Sequence, residues 1–178
     1  LCCRCVGFLV EGRARQLKSS DRATKDHDRA AYVCVDYEVD GVPNGPEPKS
    51  LIESIFLDSG ASLIEHQLPV VASFEDPAAA VEASIVGQWR VQREMNDPHR
   101  KLRIGVHVGS LSETVAVLDC SNGNQIVFSG AVDLATGGVL DARPMAVAKI
   151  WTDSEPTQLW LSTDSRPDID GRPLRIPT

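Results

Sequence analysis

Alternating and periodic apolar positions divide the chain into strands and helices from residue 31 onward. The run Ala31–Val39 is rich in β-branched and aromatic residues and ends at Asp40-Gly41, which predicts a strand. The following segment, 42–48, contains three prolines and a glycine, so it predicts a loop. A short helix is expected over 50–57.

A strand over 63–74 and a long helix are expected next. Asp76 can accept backbone N–H bonds as the N-cap, and Pro77 suits the first helical turn, where a missing N–H does no harm. The helix is predicted to end near Met95. Its apolar residues recur every three to four positions and predict one buried stripe. That stripe consists of Val81, Ile85, Val86 and Trp89.

A further strand and a hairpin are predicted after this helix. The run 102–109 alternates apolar and other residues, which is typical of a strand with one buried face. His107 falls on the less apolar face, where a histidine is usually solvated or hydrogen-bonded, so no catalytic role is assigned to it. The Asn-Gly pair at 122–123 separates the apolar runs 114–119 and 125–129, and this pattern predicts a β-hairpin.

Composition and charge narrow the classes of partner. The chain has 178 residues, of which 42% are hydrophobic and 24% charged, and this suits one domain with its own hydrophobic core. A formal net charge of -7 argues against a broad surface for nucleic acid. No run approaches the ~18 consecutive apolar residues that a membrane span needs. We therefore expect neither a nucleic-acid partner nor a membrane span.

The cysteines indicate a reducing, intracellular compartment. Cys34 and Cys120 lie in apolar runs, where a reduced cysteine packs as a small hydrophobic residue. A cluster near the start has no companion Cys/His pair at the spacing of a zinc site, so no metal is assigned to it. The cluster consists of Cys2, Cys3 and Cys5.

Three segments are expected along the chain. Residues 11–30 are polar and mixed in charge, so 1–30 are expected to form an N-terminal extension, 31–163 the domain, and 164–178 a tail extended over the domain or a neighbour. Trp160 alternates with leucines in a predicted strand and is expected in the core, with a partner surface as the alternative. The sequence begins with Leu1 and not with Met, which fits a processed or partial chain. Removal of an organellar targeting segment is one process that would give such a chain.

The order of elements between 63 and 109 resembles the class III adenylate and guanylate cyclase homology domain. The resemblance covers residues 31–163. It implies an α/β fold of the ferredoxin-like, α+β sandwich type. In this fold the sheet is mostly antiparallel, helices pack on one face, and a β-hairpin arm is present. In that family the arm helps two domains meet head to tail, so the resemblance implies other protein subunits or a homologous domain as partners.

The family holds its catalytic metals with two carboxylates. The resemblance places Asp36, at the end of the first strand, at the first of these positions. Gln67 and Leu68 occupy the Gly-Asp that carries the second carboxylate, and a leucine cannot bind Mg²⁺. Asp36 is thus a possible metal ligand whose partner position is lost at Leu68, although Glu65 or His66 could substitute for it.

The family also carries a helix reading Val-Asn-x-Ala-Ala-Arg-Ile, followed by a turn and strand reading Pro-Gly-Gln-Ile-x-Val-Ser. The segments 144–150 (Pro-Met-Ala-Val-Ala-Lys-Ile) and 156–162 (Pro-Thr-Gln-Leu-Trp-Leu-Ser) resemble these. Met145 then stands at the Asn that orients the ribose, and Lys149 at the Arg that stabilises the triphosphate. Methionine has no polar group, and lysine lacks the planar fork of arginine. No catalytic residue is therefore expected.

Three functions remain open from the sequence. The first is a non-catalytic cyclase-homology domain, a pseudoenzyme that acts as a structural or assembly subunit and needs no cofactor. The second is a nucleotidyl cyclase that makes a cyclic nucleotide from ATP or GTP with Mg or Mn, as half of a heterodimer. The third is a nucleotide-sensing domain without turnover, in which the small-residue loop 133–138 approaches the ligand.

Overall fold

The chain folds around one seven-stranded sheet. The structure is a computed structural model that describes residues 30–65, 67–150 and 155–176. The predicted N-terminal extension with its cysteine cluster, and His66, lie outside the described residues. The strands are β1 (Ala31–Val39), β2 (Ser62–Glu65), β3 (Val70–Phe74), β4 (Arg100–Val108), β5 (Gln125–Ser129), β6 (Ala142–Ala148) and β7 (Thr157–Ser162).

The strand order across the sheet is β2-β3-β1-β4-β5-β7-β6. Neighbouring strands are antiparallel except β4 and β5, which are parallel. The prediction of a mostly antiparallel sheet with helices packed on it is therefore confirmed.

Helices cover both faces of the sheet. They are α1 (Lys49–Asp58), α2 (Pro77–Met95), α3 (Leu111–Asp119) and α4 (Gly130–Ala135). Val33 and Val35 of β1 pack in the main core with residues of α1, α2 and α4. Cys34 packs instead with residues of α3. Because successive strand residues point to opposite faces, α3 is the one helix of the described ranges on the second face, whereas the sequence predicted helices on one face.

The start and end of α2 follow the predicted signals. The Asp76 side chain accepts a hydrogen bond from the Ala78 backbone N–H at 2.9 Å, and Pro77 is the first helical residue. Asn96 ends the helix in the left-handed conformation with φ of 46°. Both ends of this helix are thus encoded locally.

The buried stripe of α2 is only partly as predicted. Ile85 is buried, but Val81 and Val86 are half-buried at the margin of the core. Trp89 is also half-buried, and the Arg93 guanidinium lies 5.4 Å from its ring centroid. The face of α2 that contacts the sheet consists mainly of alanine, serine, glycine and glutamine. The small side chains among them let the helix approach the sheet closely. That face comprises Ala80, Ala83, Ser84, Ile85, Gly87, Gln88 and Val91.

The single strand predicted over 63–74 is wrong, since the structure has two strands joined by a turn. β2 and β3 pair antiparallel, with Leu63 opposite Ala72, and 67–69 form bends between them. Pro69 has no N–H to offer a ladder at that point, which favours an interruption of the strand. Leu68 therefore lies at a turn and not within a strand.

The hairpin predicted over 114–129 is also wrong. Residues Leu111–Asp119 form α3, which connects the parallel strands β4 and β5. The Ser110 hydroxyl caps the Glu113 backbone N–H, and the Glu113 side chain returns to the Ser110 N–H. This capping box is a helix signal that outweighs the β-branched residues after it. The Asn-Gly pair lies in the turn between α3 and β5.

The helix expected over 144–150 is a strand in the structure. β6 pairs with β7 from Ala142 opposite Ser162 to Ala148 opposite Thr157, with a register shift between Pro144 and Ala146. The helix that precedes this pair is α4, nearer the start of the chain. The strand expected over 156–162 is confirmed as β7.

The cysteines and the aromatic residue of β7 lie as predicted. Cys34 and Cys120 are free and buried, and burial raises the pKa of Cys120 to about 12. Trp160 is half-buried against the main core. None of the helices in the described part of the chain is long and apolar enough to cross a membrane.

Candidate functional site

The end of β1, the turn before β3 and the start of β4 meet at one end of the sheet. Val35 pairs with Val70, so Asp36 lies level with the turn that contains Leu68. On the other side, Asp36 pairs directly with Arg103 of β4. We call this region the carboxylate end, defined by Asp36, Glu38, Leu68 and Arg103. Asp36 and Leu68 therefore lie at the same end of the sheet, but Leu68 packs with the main core, whereas Asp36 shares the other face of β1 with Cys34.

The Asp36 carboxylate is engaged by groups of the protein itself. Its Oδ2 lies 3.2 Å from Nη2 of Arg103, and its Oδ1 accepts a hydrogen bond from the Tyr37 backbone N–H at 2.8 Å. The two side chains of the ion pair are 20% and 15% exposed, so the pair is largely shielded from water. Asp36 and Arg103 therefore form a cross-strand pair that neutralises the charge of the carboxylate.

Leu68 offers no oxygen and is partly buried against the main core. Glu65, considered as a substitute ligand, accepts a hydrogen bond from the Gln67 backbone N–H at 3.0 Å. Within the described ranges no three His, Cys, Asp or Glu side chains come together in a group able to hold a metal. Mg²⁺ and Mn²⁺ need several oxygen ligands, so the residues described here do not fit a two-metal site.

Met145 and Lys149 lie far from the carboxylate end. β6 is separated from β1 by β4, β5 and β7, which corresponds to about 19 Å at the usual strand spacing. Met145 is partly buried against a second apolar cluster, and Lys149 is exposed just after the strand ends. Neither residue lies on a helix, so the helical positions that the resemblance assigned to them are wrong.

The loop 133–138 forms the end of a helix. The backbone N–H of Gly137 donates to the Leu134 carbonyl at 3.2 Å, and that of Gly138 donates to the Asp133 carbonyl at 2.8 Å. Both glycines have positive φ, 75° and 73°, and open space surrounds the position of a Cβ on each. The glycines thus serve the backbone turn after α4, and no neighbouring group demands a close approach there.

A buried polar cluster was missed from the sequence. His107 is 9% exposed, and its Nδ1 lies 2.8 Å from the Ser129 hydroxyl while its Nε2 lies 3.2 Å from Oε2 of Glu113. The same Glu113 oxygen accepts from the Ser110 hydroxyl at 2.7 Å. The Ser-x-x-Glu spacing at 110–113 was the available signal. Ser129 is completely buried, so it cannot meet a substrate, and the cluster joins α3 to the sheet.

Burial sets the protonation of this cluster. It lowers the pKa of His107 below its usual value, and the adjacent Glu113 carboxylate opposes this shift only in part. Burial acts to raise the pKa of Glu113, but hydrogen bonds from Ser110 and the charge of His107 bring it below its usual value. Glu113 is therefore held as a carboxylate that accepts hydrogen bonds from Ser110.

We expect the free energy of unfolding to fall as the pH drops below about 6.5, because the unfolded chain protonates His107 more readily than the folded chain does. The contribution of one such group has a slope of at most about 1.4 kcal/mol per pH unit. Urea titrations of the wild type and His107→Gln between pH 7 and pH 5 measure it. The variant should lose less stability over this range than the wild type; equal losses would contradict the assignment.

A polar cleft of about 280 Å³ opens beside the start of β4. The two cationic side chains that line the cleft are already ion-paired. Arg100 lies 3.7 Å from the carboxylate of Asp97, and Lys101 lies 3.3 Å from that of Asp40. The C-terminal segment provides one wall at Asp168. The cleft therefore offers paired charges, which are a weak basis for the capture of a charged ligand.

Comparisons with known proteins identify the fold. No protein-family model and no curated protein matches the chain. An adenylate/guanylate cyclase/hydrolase structure from Silicibacter pomeroyi is 18% identical, with a TM-score of 0.58 over 76% of this chain and 97% of that one. The adenylyl cyclase CyaB from P. aeruginosa is 16% identical, with a TM-score of 0.63 over 80% and 97%.

A third structure agrees with these two. An adenylate cyclase from Trypanosoma brucei, solved in its monomeric state, is 14% identical, with a TM-score of 0.64 over 86% of this chain and 97% of that one. At such low identity the common property is the arrangement of strands and helices. The chain therefore has the fold of the class III adenylate and guanylate cyclase domains.

Proposed function

We propose that this chain is a non-catalytic domain with the cyclase fold that serves as a structural or assembly module. The observation that carries the proposal is the state of the carboxylate end. Asp36 is ion-paired with Arg103 at 3.2 Å, and the position that should supply the second carboxylate is Leu68, packed on the core. A pair of metal ions needs oxygen ligands that this end of the sheet lacks.

The sequence of α4 supports the same proposal. The helix that precedes the β6–β7 pair contains Val132-Asp-Leu-Ala135, followed by Thr136-Gly137, and this run fits the family motif Val-Asn-x-Ala-Ala-Arg. Asp133 then replaces the ribose-orienting Asn, and Gly137 replaces the Arg. An aspartate would repel a triphosphate, and a glycine supplies no charge to stabilise it. With the motif placed on α4, neither position keeps a group that could bind the nucleotide, whereas the placement on Met145 and Lys149 kept the positive charge of the lysine.

A homologous domain is the partner that we propose. The guanylyl cyclase domain of RhoGC from Blastocladiella emersonii, which shares this fold at 9% identity and a TM-score of 0.58, is described as dimeric. A fold that pairs in a relative offers a ready geometry for pairing here, either with a second copy or with an active domain. A working cyclase is the second candidate function, since the solved neighbours are cyclases, and it would require the partner to supply the missing groups.

We expect purified protein to produce no cyclic AMP or cyclic GMP above background from ATP or GTP with Mg²⁺ or Mn²⁺. Leu68→Asp alone should remain inactive, because the proposed Asp133 and Gly137 positions are still unable to bind substrate. Product is measured by chromatography, with the CyaB domain as a positive control. Turnover by the wild type that disappears in Asp36→Asn would overturn the proposal.

A binding measurement separates the module from a nucleotide sensor. A ligand held only by the folded state raises the melting temperature as its concentration rises. We expect no saturable shift with ATP, GTP, Mg²⁺ or Mn²⁺ up to millimolar concentration. Glu94→Gln is the matched control for Asp36→Asn, because it removes a carboxylate from an exposed ion pair on α2. A shift in the wild type and in Glu94→Gln that is absent in Asp36→Asn would favour nucleotide or metal binding.

A further inference from the structure

The C-terminal segment 164–176, which we call the strap, contains no helix or strand and yet is bonded along its length to the domain. Asp168 and Gln92 of α2 exchange two hydrogen bonds through the strap backbone, at 2.8 and 2.9 Å. The Asp170 backbone N–H donates to the Asn124 carbonyl at 2.8 Å. These bonds attach the strap to α2 and to the turn before β5, so the strap crosses from the helix layer to the sheet.

Two buried amide side chains, which also bond to each other, donate to backbone carbonyls of the strap. Gln125 is completely buried, and its Nε2 donates to the carbonyls of Asp170 at 3.0 Å and Arg172 at 2.8 Å. Asn122 is 6% exposed, and its Nδ2 donates to the Pro173 carbonyl at 2.9 Å. A buried amide without a partner is costly, so these bonds stabilise the closed position of the strap.

The strap also supplies the charges that neutralise Glu38. Arg175 Nη2 lies 2.5 Å from Oε1 of Glu38, and Arg172 Nη2 lies 3.6 Å from its Oε2. The Gly123 backbone N–H donates to Glu38 at 2.9 Å. Burial acts to raise the pKa of Glu38, but these donors bring it below its usual value. Asp36 and Glu38 lie two residues apart on one face of β1. Each is paired with arginine, Asp36 with Arg103, and Glu38 with Arg172 and Arg175.

We propose that the strap is an intramolecular lid that keeps the carboxylate end closed, and that the Glu38 ion pairs are its catch. The lid is held by hydrogen bonds and ion pairs together with the partly buried Ile169 and Leu174, and Pro167 is its one buried residue among 164–176. Partly exposed ion pairs are weakened by salt. Ionic strength, or any anion that competes for Arg172 and Arg175, therefore opens the lid without unfolding the sheet. This inference does not depend on whether the domain is catalytic.

Hydrogen exchange read by mass spectrometry tests the lid on the full chain. In the wild type the amides of 168–176 should be protected at low salt, and Glu38→Gln should accelerate their exchange on the order of tenfold, which corresponds to about 1.4 kcal/mol. Peptides from α2 should remain unchanged. Raising NaCl from 50 mM to 1 M should accelerate the strap in the wild type more than in Glu38→Gln.

The control variant is Glu94→Gln, which removes an exposed ion pair between two residues of α2, Arg90 and Glu94. It should leave exchange in 168–176 at the wild-type rate. Arg175→Gln should reproduce the effect of Glu38→Gln from the other side of the catch. Three results would overturn the proposal: an unprotected strap in the wild type, equal protection in Glu38→Gln, or acceleration spread evenly over all peptides.

Discussion

Replacing Gly105 with alanine is expected to unfold the domain or to lower its free energy of unfolding by at least about 3 kcal/mol. A Cβ on Gly105 would lie 2.4 Å from the Leu118 backbone N and 2.6 Å from its Cα. These are atoms of helix α3, which cannot rotate away as a flexible side chain can. The helix would have to leave β4, and the buried cluster that includes Leu118 and Cys34 would open. Urea denaturation followed by circular dichroism measures the loss.

Gly87→Ala is the matched control, because it makes the same substitution in a different environment. A Cβ on Gly87 would meet only the Phe56 ring, at the ordinary contact distance of 3.8 Å. Alanine also has a better helix propensity, so this variant should be as stable as the wild type or more stable, by roughly 0.5–1 kcal/mol. Equal stability of Gly105→Ala and the wild type would contradict the close approach of α3 to the sheet.

Phe56→Ala should lower the free energy of unfolding by about 3–5 kcal/mol. Phe56 is completely buried and meets Phe74 edge to face, with ring centroids 6.0 Å apart. Helix α1 has no side-chain hydrogen bond at its N-terminus, where Pro48 stands, so packing has to hold it in place. Without this ring α1 loses its main anchor on the sheet.

The neighbouring residue provides the comparison for that variant. Leu57 is 55% exposed and, like Phe56, is a large apolar residue of α1. Leu57→Ala removes little buried area, so it should lower the free energy of unfolding by less than about 1 kcal/mol. Both variants can be followed by thermal and urea unfolding. If the two substitutions destabilise the protein equally, the anchoring role of Phe56 is wrong.

The parts of the fold that could be predicted from sequence have local causes. β1 has dense β-branched residues, and α2 has Asp76-Pro77 at its start, so each signal lies within a few residues of the element it determines. The segment 111–119 carried two opposing signals, a capping box at Ser110 and a β-branched run after it. The long-range pairing supports the capping signal, because the parallel strands β4 and β5 need a crossover connection, which is usually a helix.

The candidate site was less predictable, because its state depends on partners far apart in the chain. Asp36 was identified from its position in the strand, but its ion pair with Arg103 spans 67 residues and becomes visible only when β1 and β4 are in register. The assignments of Met145 and Lys149 rested on apolar spacing alone. That spacing did not distinguish a helix from the bulged strand β6.

The outer edge of β6 limits how copies of this domain can assemble. Among the described residues β6 has a strand partner on one side only, β7. Pro144 has no N–H to donate, and the register shift beside it breaks the regular ladder. Such an edge resists the addition of another strand, as edges do in proteins that avoid aggregation. Backbone pairing between copies of this domain along β6 is therefore disfavoured, and an assembly on this side of the sheet has to be built through side-chain contacts.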